Sequence, residues 1–168
     1  MEQRNKDMKD LQKLATECVA DMTALGIPIR KVRSWTVSTR GKNMWGQCKA
    51  AGKGVFDIRI SQLLLQDDVD DQAVKNTIVH ELLHTVEGCM NHGQRWHRLA
   101  TFVNSRLPRY NIRSRTPAEE KGIQIEYRYL FRCTGCGNQI GRHKKSPFVE
   151  HYDKYICSKC GGKFKRIQ

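Results

Sequence analysis

The chain has 168 residues, with 30 lysines and arginines against 17 aspartates and glutamates and a formal net charge of +13. That length suits one ordinary domain, or a smaller one with a metal-stapled appendage, and excludes more than two packed units. A bilayer-spanning run of about 18 apolar residues is absent, and Met1 to Asp10 is charged where a signal peptide would be apolar. A soluble, cytoplasmic protein without a membrane partner is therefore expected; a monomer is expected too, though nothing in the sequence fixes the oligomeric state.

The first periodic stretch is Leu11, Leu14, Ala15, Cys18, Met22 and Leu25, which recurs at helical spacing and stops at Gly26 and Pro28. It predicts an amphipathic helix with Cys18 packed inside. Shorter β-like runs follow at Val32 to Val37, Met44 to Cys48 and Val55 to Ile60, separated by Arg40-Gly41-Lys42-Asn43 and Ala51-Gly52-Lys53-Gly54. A small, mainly antiparallel sheet is expected from them. The acidic segment Asp67 to Asp71 puts negative charge at the start of a helix over Ala73 to Val86, where the helix dipole favours it. Trp96, Leu99, Ala100, Val103 and Leu107 predict a further helix ending at Pro108. Arg109 to Gly122 is polar and aperiodic and reads as a linker, after which Ile123, Ile125, Tyr127, Tyr129 and Phe131 alternate as a strand. The expected class is α+β, with one domain over residues 1–115 and a second over 116–168.

The motif His80-Glu81-Leu82-Leu83-His84 lies in the second predicted helix. Two histidines four residues apart project from one helical face and can hold one ion through imidazole nitrogens. Glu81 beside them can take a proton from water activated by that ion. The apolar stripe Val74, Ile78, Leu82 and Val86 is separate and leaves the histidines on another edge. A catalytic zinc needs a third protein ligand and one open position. His92 in the turn after the helix, His97 one residue past Trp96, and Glu87 are the candidates, with the turn favouring His92.

Cys133-x-x-Cys136 and Cys157-x-x-Cys160 are separated by 20 residues, and glycine-containing knuckles follow each pair at Gly137 and Gly161-Gly162. This is zinc-ribbon spacing; four thiolates fill the tetrahedron, so the second zinc is expected to hold the fold and do no chemistry. Residues 101–168 carry 15 basic against 5 acidic side chains, whereas residues 1–100 carry 15 against 12. That asymmetry favours a polyanionic partner, nucleic acid before membrane. Arg142, Lys144, Lys145, Tyr152 and Lys154 are the candidate nucleic-acid contacts, the ring being expected exposed with Phe148, while Tyr127, Tyr129 and Phe131 pack. His143 and His151 are expected to be polar surface residues rather than ligands.

Taken together, Met44-Trp45-Gly46-Gln47-Cys48, the Gly52-Lys53-Gly54 turn leading into Ile58-Arg59-Ile60-Ser61, the His80-Glu81-x-x-His84 helix, the His92-Gly93-Gln94-Arg95-Trp96 turn and the ribbon resemble the SprT-like, Spartan-type family of zinc metallopeptidases. The resemblance runs from about Met44 to Phe164, and the chain's brevity sets it nearest the compact bacterial members. It implies a zincin-like α+β peptidase domain with a zinc-binding subdomain, His92 as third ligand, Glu81 as catalytic base, and two zinc ions per chain. It further implies an endopeptidase acting on proteins bound or crosslinked to DNA, single-stranded or junction-containing. A peptidase of ordinary proteins, or a ribbon protein that binds nucleic acid without proteolysis, are the alternatives.

Overall fold

The computed structural model describes residues 8–39, 44–117, 119–123 and 126–168. The Arg40 to Asn43 turn and Ile125 of the expected strand lie outside these. The chain divides into two compact units, Met1–Gln124 and Ile125–Gln168, each mixing helix with a small sheet. None of the described helices is long and apolar enough to cross a membrane.

In the first unit, helix α1 (Leu11–Ala24) begins at Asp10, whose carboxylate accepts from the Lys13 amide, and its apolar stripe buries Leu11, Leu14, Ala15, Cys18 and Met22. The sheet is built from β1 (Val32–Ser38), β2 (Gly46–Ala50) and β3 (Phe56–Ser61), in the order β1-β3-β2. It is mixed rather than mainly antiparallel, because β1 pairs with β3 in parallel while β2 and β3 run antiparallel. The reason lies in the turn. Gly52, Lys53 and Gly54 all have positive φ and fold β2 tightly onto one edge of β3, so β1 can pair only with the other edge. One consequence is that β2 is an edge strand.

Helix α2 (Asp71–His84) starts on Asp70, which accepts from the Gln72 amide at 2.6 Å, and runs through the middle of the unit. Val74, Ile78, Val79, Leu82 and Leu83 are all fully buried, each contributing about 1.5–3 kcal/mol by leaving water. Helix α3 (Gln94–Arg106) buries only Trp96, Ala100 and Val103 and turns a polar face outward. The stretch expected as a linker is part of this unit. Tyr110, Ile112, Lys121 and Ile123 are buried, the Asn104 side chain brackets both backbone groups of Ile112, and the Asn111 amide donates to Asn76 of α2. Residues 116–124 thus go with the first unit, and the division falls later than the expected 115/116 boundary.

The second unit carries an antiparallel sheet, β5-β4-β6, from β4 (Tyr129–Cys133), β5 (Gln139–Arg142) and β6 (Phe164–Arg166), with a one-turn helix α4 (Pro147–Glu150). The strand begins at Tyr129, later than the expected Ile123. Its core is Tyr129, Phe131, Val149 and Phe164 around Cys133 and Cys157, with Ile140, Phe148 and Tyr152 packed against them.

Candidate active site

The two motif histidines leave α2 on its last turn and the third arrives from the turn before α3. His80 Nε2 lies 3.2 Å from His84 Nε2 and 2.9 Å from His92 Nε2. Three ligands of one tetrahedral zinc at about 2.0–2.1 Å should stand about 3.3 Å apart, so this donor set fits the ion. The other ring nitrogens are already engaged: His80 Nδ1 faces the Arg113 carbonyl at 2.9 Å and His84 Nδ1 the Cys89 carbonyl at 2.7 Å. An Nδ1–H donating to each carbonyl leaves each Nε2 lone pair directed at the common point. Burial lowers the pKa of all three rings, that of His80 to about 4, so they are neutral ligands near pH 7.

Of the other third-ligand candidates, His97 is exposed on α3 with its ring edge-to-face on Trp96 at 5.4 Å, and Glu87 is exposed and paired with Arg30 at 2.9 Å. The structure brings together His80, His84 and His92 and leaves those two out. Trp96, fully buried, sits against all three rings with centroids 4.8, 5.7 and 4.7 Å away. It forms an apolar wall beneath the donors, placed there by its spacing of four from His92 across the start of α3.

Glu81 is buried beside the cluster. Burial pushes its pKa up to about 8, opposed by the Cys48 backbone amide that donates to it and by Lys121. Gly46 makes room for it: a Cβ at that position of β2 would stand 2.5 Å from Glu81 Oε1. Lys121 was not foreseen. Its ammonium is buried, donates to Thr77 Oγ1 at 2.7 Å one helical turn before Glu81, and is pushed down by burial to about 8. Only a buried position near a carboxylate distinguishes it, and its sequence neighbourhood gives no sign of one.

In the second unit the four cysteines converge. Cys133 and Cys160 sulfurs are 3.4 Å apart and those of Cys136 and Cys157 3.6 Å, near the separation of about 3.8 Å that Zn–S bonds of about 2.3 Å give. Glycine suits both knuckles: a Cβ at Gly162 would come 2.9 Å from Cys133 Sγ, closer than such contacts run, and one at Gly135 would be tight at 3.1 Å from Cys160 Sγ. Arg142, Lys144, Lys145 and Lys154 are exposed. Tyr152 is not an open ring: it is half-buried with its centroid 5.0 Å from Phe131, and Phe148 is likewise packed, under the Arg142 guanidinium. A unit this small has little other apolar material to close around its metal, so these rings are drawn into its core. Tyr155, 42% exposed, takes the outward position instead. Tyr127 is outside the strand and stacks on His143 at 5.0 Å.

A three-histidine cluster beside a buried glutamate and a four-cysteine cluster, each able to hold a metal ion, mark a mixed α/β protein with two candidate metal sites. The SprT-like family profile matches residues 13–116, more than half of the chain, and the chain belongs to that family. Membership points to a metallopeptidase-like role. The human germ cell nuclear acidic protein is 27% identical over 97 residues, covering 53% of this chain but only 13% of that protein's length.

Proposed function

We propose that the chain is a zinc endopeptidase of the zincin type that acts on proteins bound or crosslinked to DNA. The observation that carries this reading is the convergence of three neutral imidazole nitrogens beside the buried Glu81. When bound there, zinc supplies Lewis-acid activation of water and of the scissile carbonyl. His80, His84 and His92 hold it, and the Arg113 and Cys89 carbonyls keep two of the rings in the ligating tautomer. Glu81 takes the proton from the attacking water and passes it to the departing amine. A carboxyl with a pKa near the working pH suits such shuttling, and a nearby dication favours its ionised form. The Cys48 amide and Lys121 favour that form too.

Strand β2 lies at the edge of its sheet and passes Glu81 at Gly46, an arrangement that suits an extended peptide laid beside the strand and supports an endopeptidase over a hydrolase of small molecules. Four thiolates fit a second, structural zinc. The exposed Arg142, Lys144, Lys145 and Lys154 support a DNA partner, with binding concentrating enzyme and substrate on one strand.

The test is cleavage of casein and histone by zinc-loaded protein, with and without single-stranded DNA, beside Glu81→Gln. That substitution keeps shape but cannot accept the proton, so cleavage should fall by at least about 10²-fold with zinc still bound. Equal cleavage by the variant would refute Glu81 as the base.

A further inference from the structure

Between Glu87 and Glu119 the chain contains six arginines and neither a lysine nor an acidic residue. Four positions in this stretch, Arg95, Arg98, Phe102 and Arg106, fall at spacings of three and four along α3 and form one stripe. All four are exposed, on the side away from Trp96, Ala100 and Val103. No carboxylate among the described residues pairs with Arg95, Arg98 or Arg106, whereas Arg109 pairs with Asp21 and Arg113 with Glu120. Phe102 is 38% exposed, and the Arg106 guanidinium lies 5.5 Å from its ring centroid. An open groove of ≈ 450 Å³ beside it is lined by Gln94, His97, Arg98, Thr101 and Phe102.

What sets this face apart is the combination of three cations without carboxylate partners, a ring in their midst and a groove beside it. Here the cations are all arginine, whose planar fork matches phosphate oxygens. The ring between them offers a face on which a base can stack. Stacking requires an unpaired base, so the complementary ligand is a single strand rather than a duplex. Arg98 and Arg106 stand about 12 Å apart along the axis, a span of a few nucleotides.

We propose that the outer face of α3 is a contact surface for single-stranded nucleic acid, with Phe102 stacking on a base and Arg98 and Arg106 holding phosphates on either side. These residues belong to the first unit, whereas the basic residues of the ribbon belong to the second, and the groove begins at Gln94, two residues after His92. A strand held there lies along the same helix that begins at the metal site, so protein attached to it is presented to the unit that carries Glu81. The binding itself does not depend on peptidase activity.

The experiment measures anisotropy of a fluorescein-labelled oligothymidylate with zinc-loaded, full-length Glu81→Gln protein across a salt series. Phe102→Ala and Phe102→Leu should each weaken binding by about 5- to 150-fold, the leucine keeping apolar bulk without a stacking face. Arg98→Ala with Arg106→Ala should reduce the slope of log affinity against log salt by about 1.4, two single-strand phosphate contacts. Thermal melts confirm that these surface variants fold. Wild-type affinity and slope in all of them, with loss only on Lys144→Ala plus Lys145→Ala, would overturn the proposal. So would displacement of the oligonucleotide by polyglutamate as effective as by unlabelled oligothymidylate, which would make the face a dock for acidic protein. Casein cleavage by the Glu81 protein, run separately, tests the peptidase reading, so the two failures are distinguishable.

Discussion

Gly46→Ala is the sharpest probe of the geometry around Glu81. Gly46 sits in β2 opposite Ile60 and has no positive φ, so alanine meets no backbone strain there and the whole effect is that of one methyl group. That methyl would lie 2.5, 2.7 and 2.9 Å from Oε1, Cγ and Cδ of Glu81, where ordinary contact begins at 3.4 Å. The carboxyl group must therefore retreat by about 0.5–0.9 Å, and with Glu81 only 5% exposed it has little space to do so. Overpacking of this kind costs about 1–3 kcal/mol of stability. Displacing a catalytic group by about 1 Å costs on the order of 10²-fold in rate. Neither cost should reach the histidines, because the clash involves Glu81 alone. The assay is kcat/KM on casein or a quenched fluorescent peptide, with zinc content and a thermal melt on the same preparation. The expected result is two bound zinc ions, a lowered Tm and activity reduced by about two orders of magnitude. Activity and Tm both at the wild-type level would show that Glu81 is not held against β2 as described.

The histidine cluster and the ribbon should each hold one zinc, so metal analysis of wild-type protein should give two ions per chain. His92→Ala should lower this to one, whereas His97→Ala should leave it at two; the opposite result would move the third ligand to His97. A pH prediction comes from α1. Burial alone would raise the Asp21 carboxyl, but the Tyr110 hydroxyl at 2.6 Å and Arg109 outweigh it and hold the pKa below the ordinary value. A depressed carboxylate contributes stability above its unfolded pKa, about 3.9, and loses it as pH falls through the lower folded value. Asp21→Ala should accordingly cost about 1–3 kcal/mol at pH 7, because the Tyr110 hydroxyl keeps only the weaker Cys18 sulfur as acceptor and Arg109 loses its carboxylate. Denaturant melts should show the difference narrowing below about pH 4.

That His80 and His84 share one cluster and the four cysteines another was legible because spacing is a local property: two histidines four apart on a helix, and two cysteine pairs with glycine knuckles, leave few geometries open. The stripe of α1 and the burial of Cys18 were legible for the same reason. Strand direction was not. Whether β1 joins β3 parallel or antiparallel depends on which edge the Gly52-Lys53-Gly54 turn leaves free, a fact about three strands at once. The segment after α3 misled because it is held by side chain-to-backbone bonds from Asn104 and Asn76, which create no apolar period. Tyr152 misled for a different reason. An aromatic residue among lysines has the composition of a stacking ring, yet the second unit takes that ring into its own core against Phe131.

The electrostatics of the first site explain why a segment without a recognisable motif belongs to it. A buried ammonium at Lys121 works against metal binding, since it lies within electrostatic reach of His80 and adds positive charge where a dication would sit. It works in favour of ionised Glu81, whose burial otherwise raises its pKa to about 8. The same segment favours a cation there through the Arg113 carbonyl, which accepts from His80 Nδ1 and leaves Nε2 beside the Nε2 atoms of His84 and His92. The Arg113 carbonyl thus favours His80 as a donor, while the Lys121 ammonium acts against a cation at the histidines and favours an ionised Glu81. If residues 107–123 were only a tether, neither a buried lysine nor a buried Ile123 would be needed there, because a tether gains nothing from desolvating a charge. Burial costs Lys121 part of its charge, and from its anchor on Thr77 the ammonium is supported by the charge of Glu120 first and of Glu81 in α2 second.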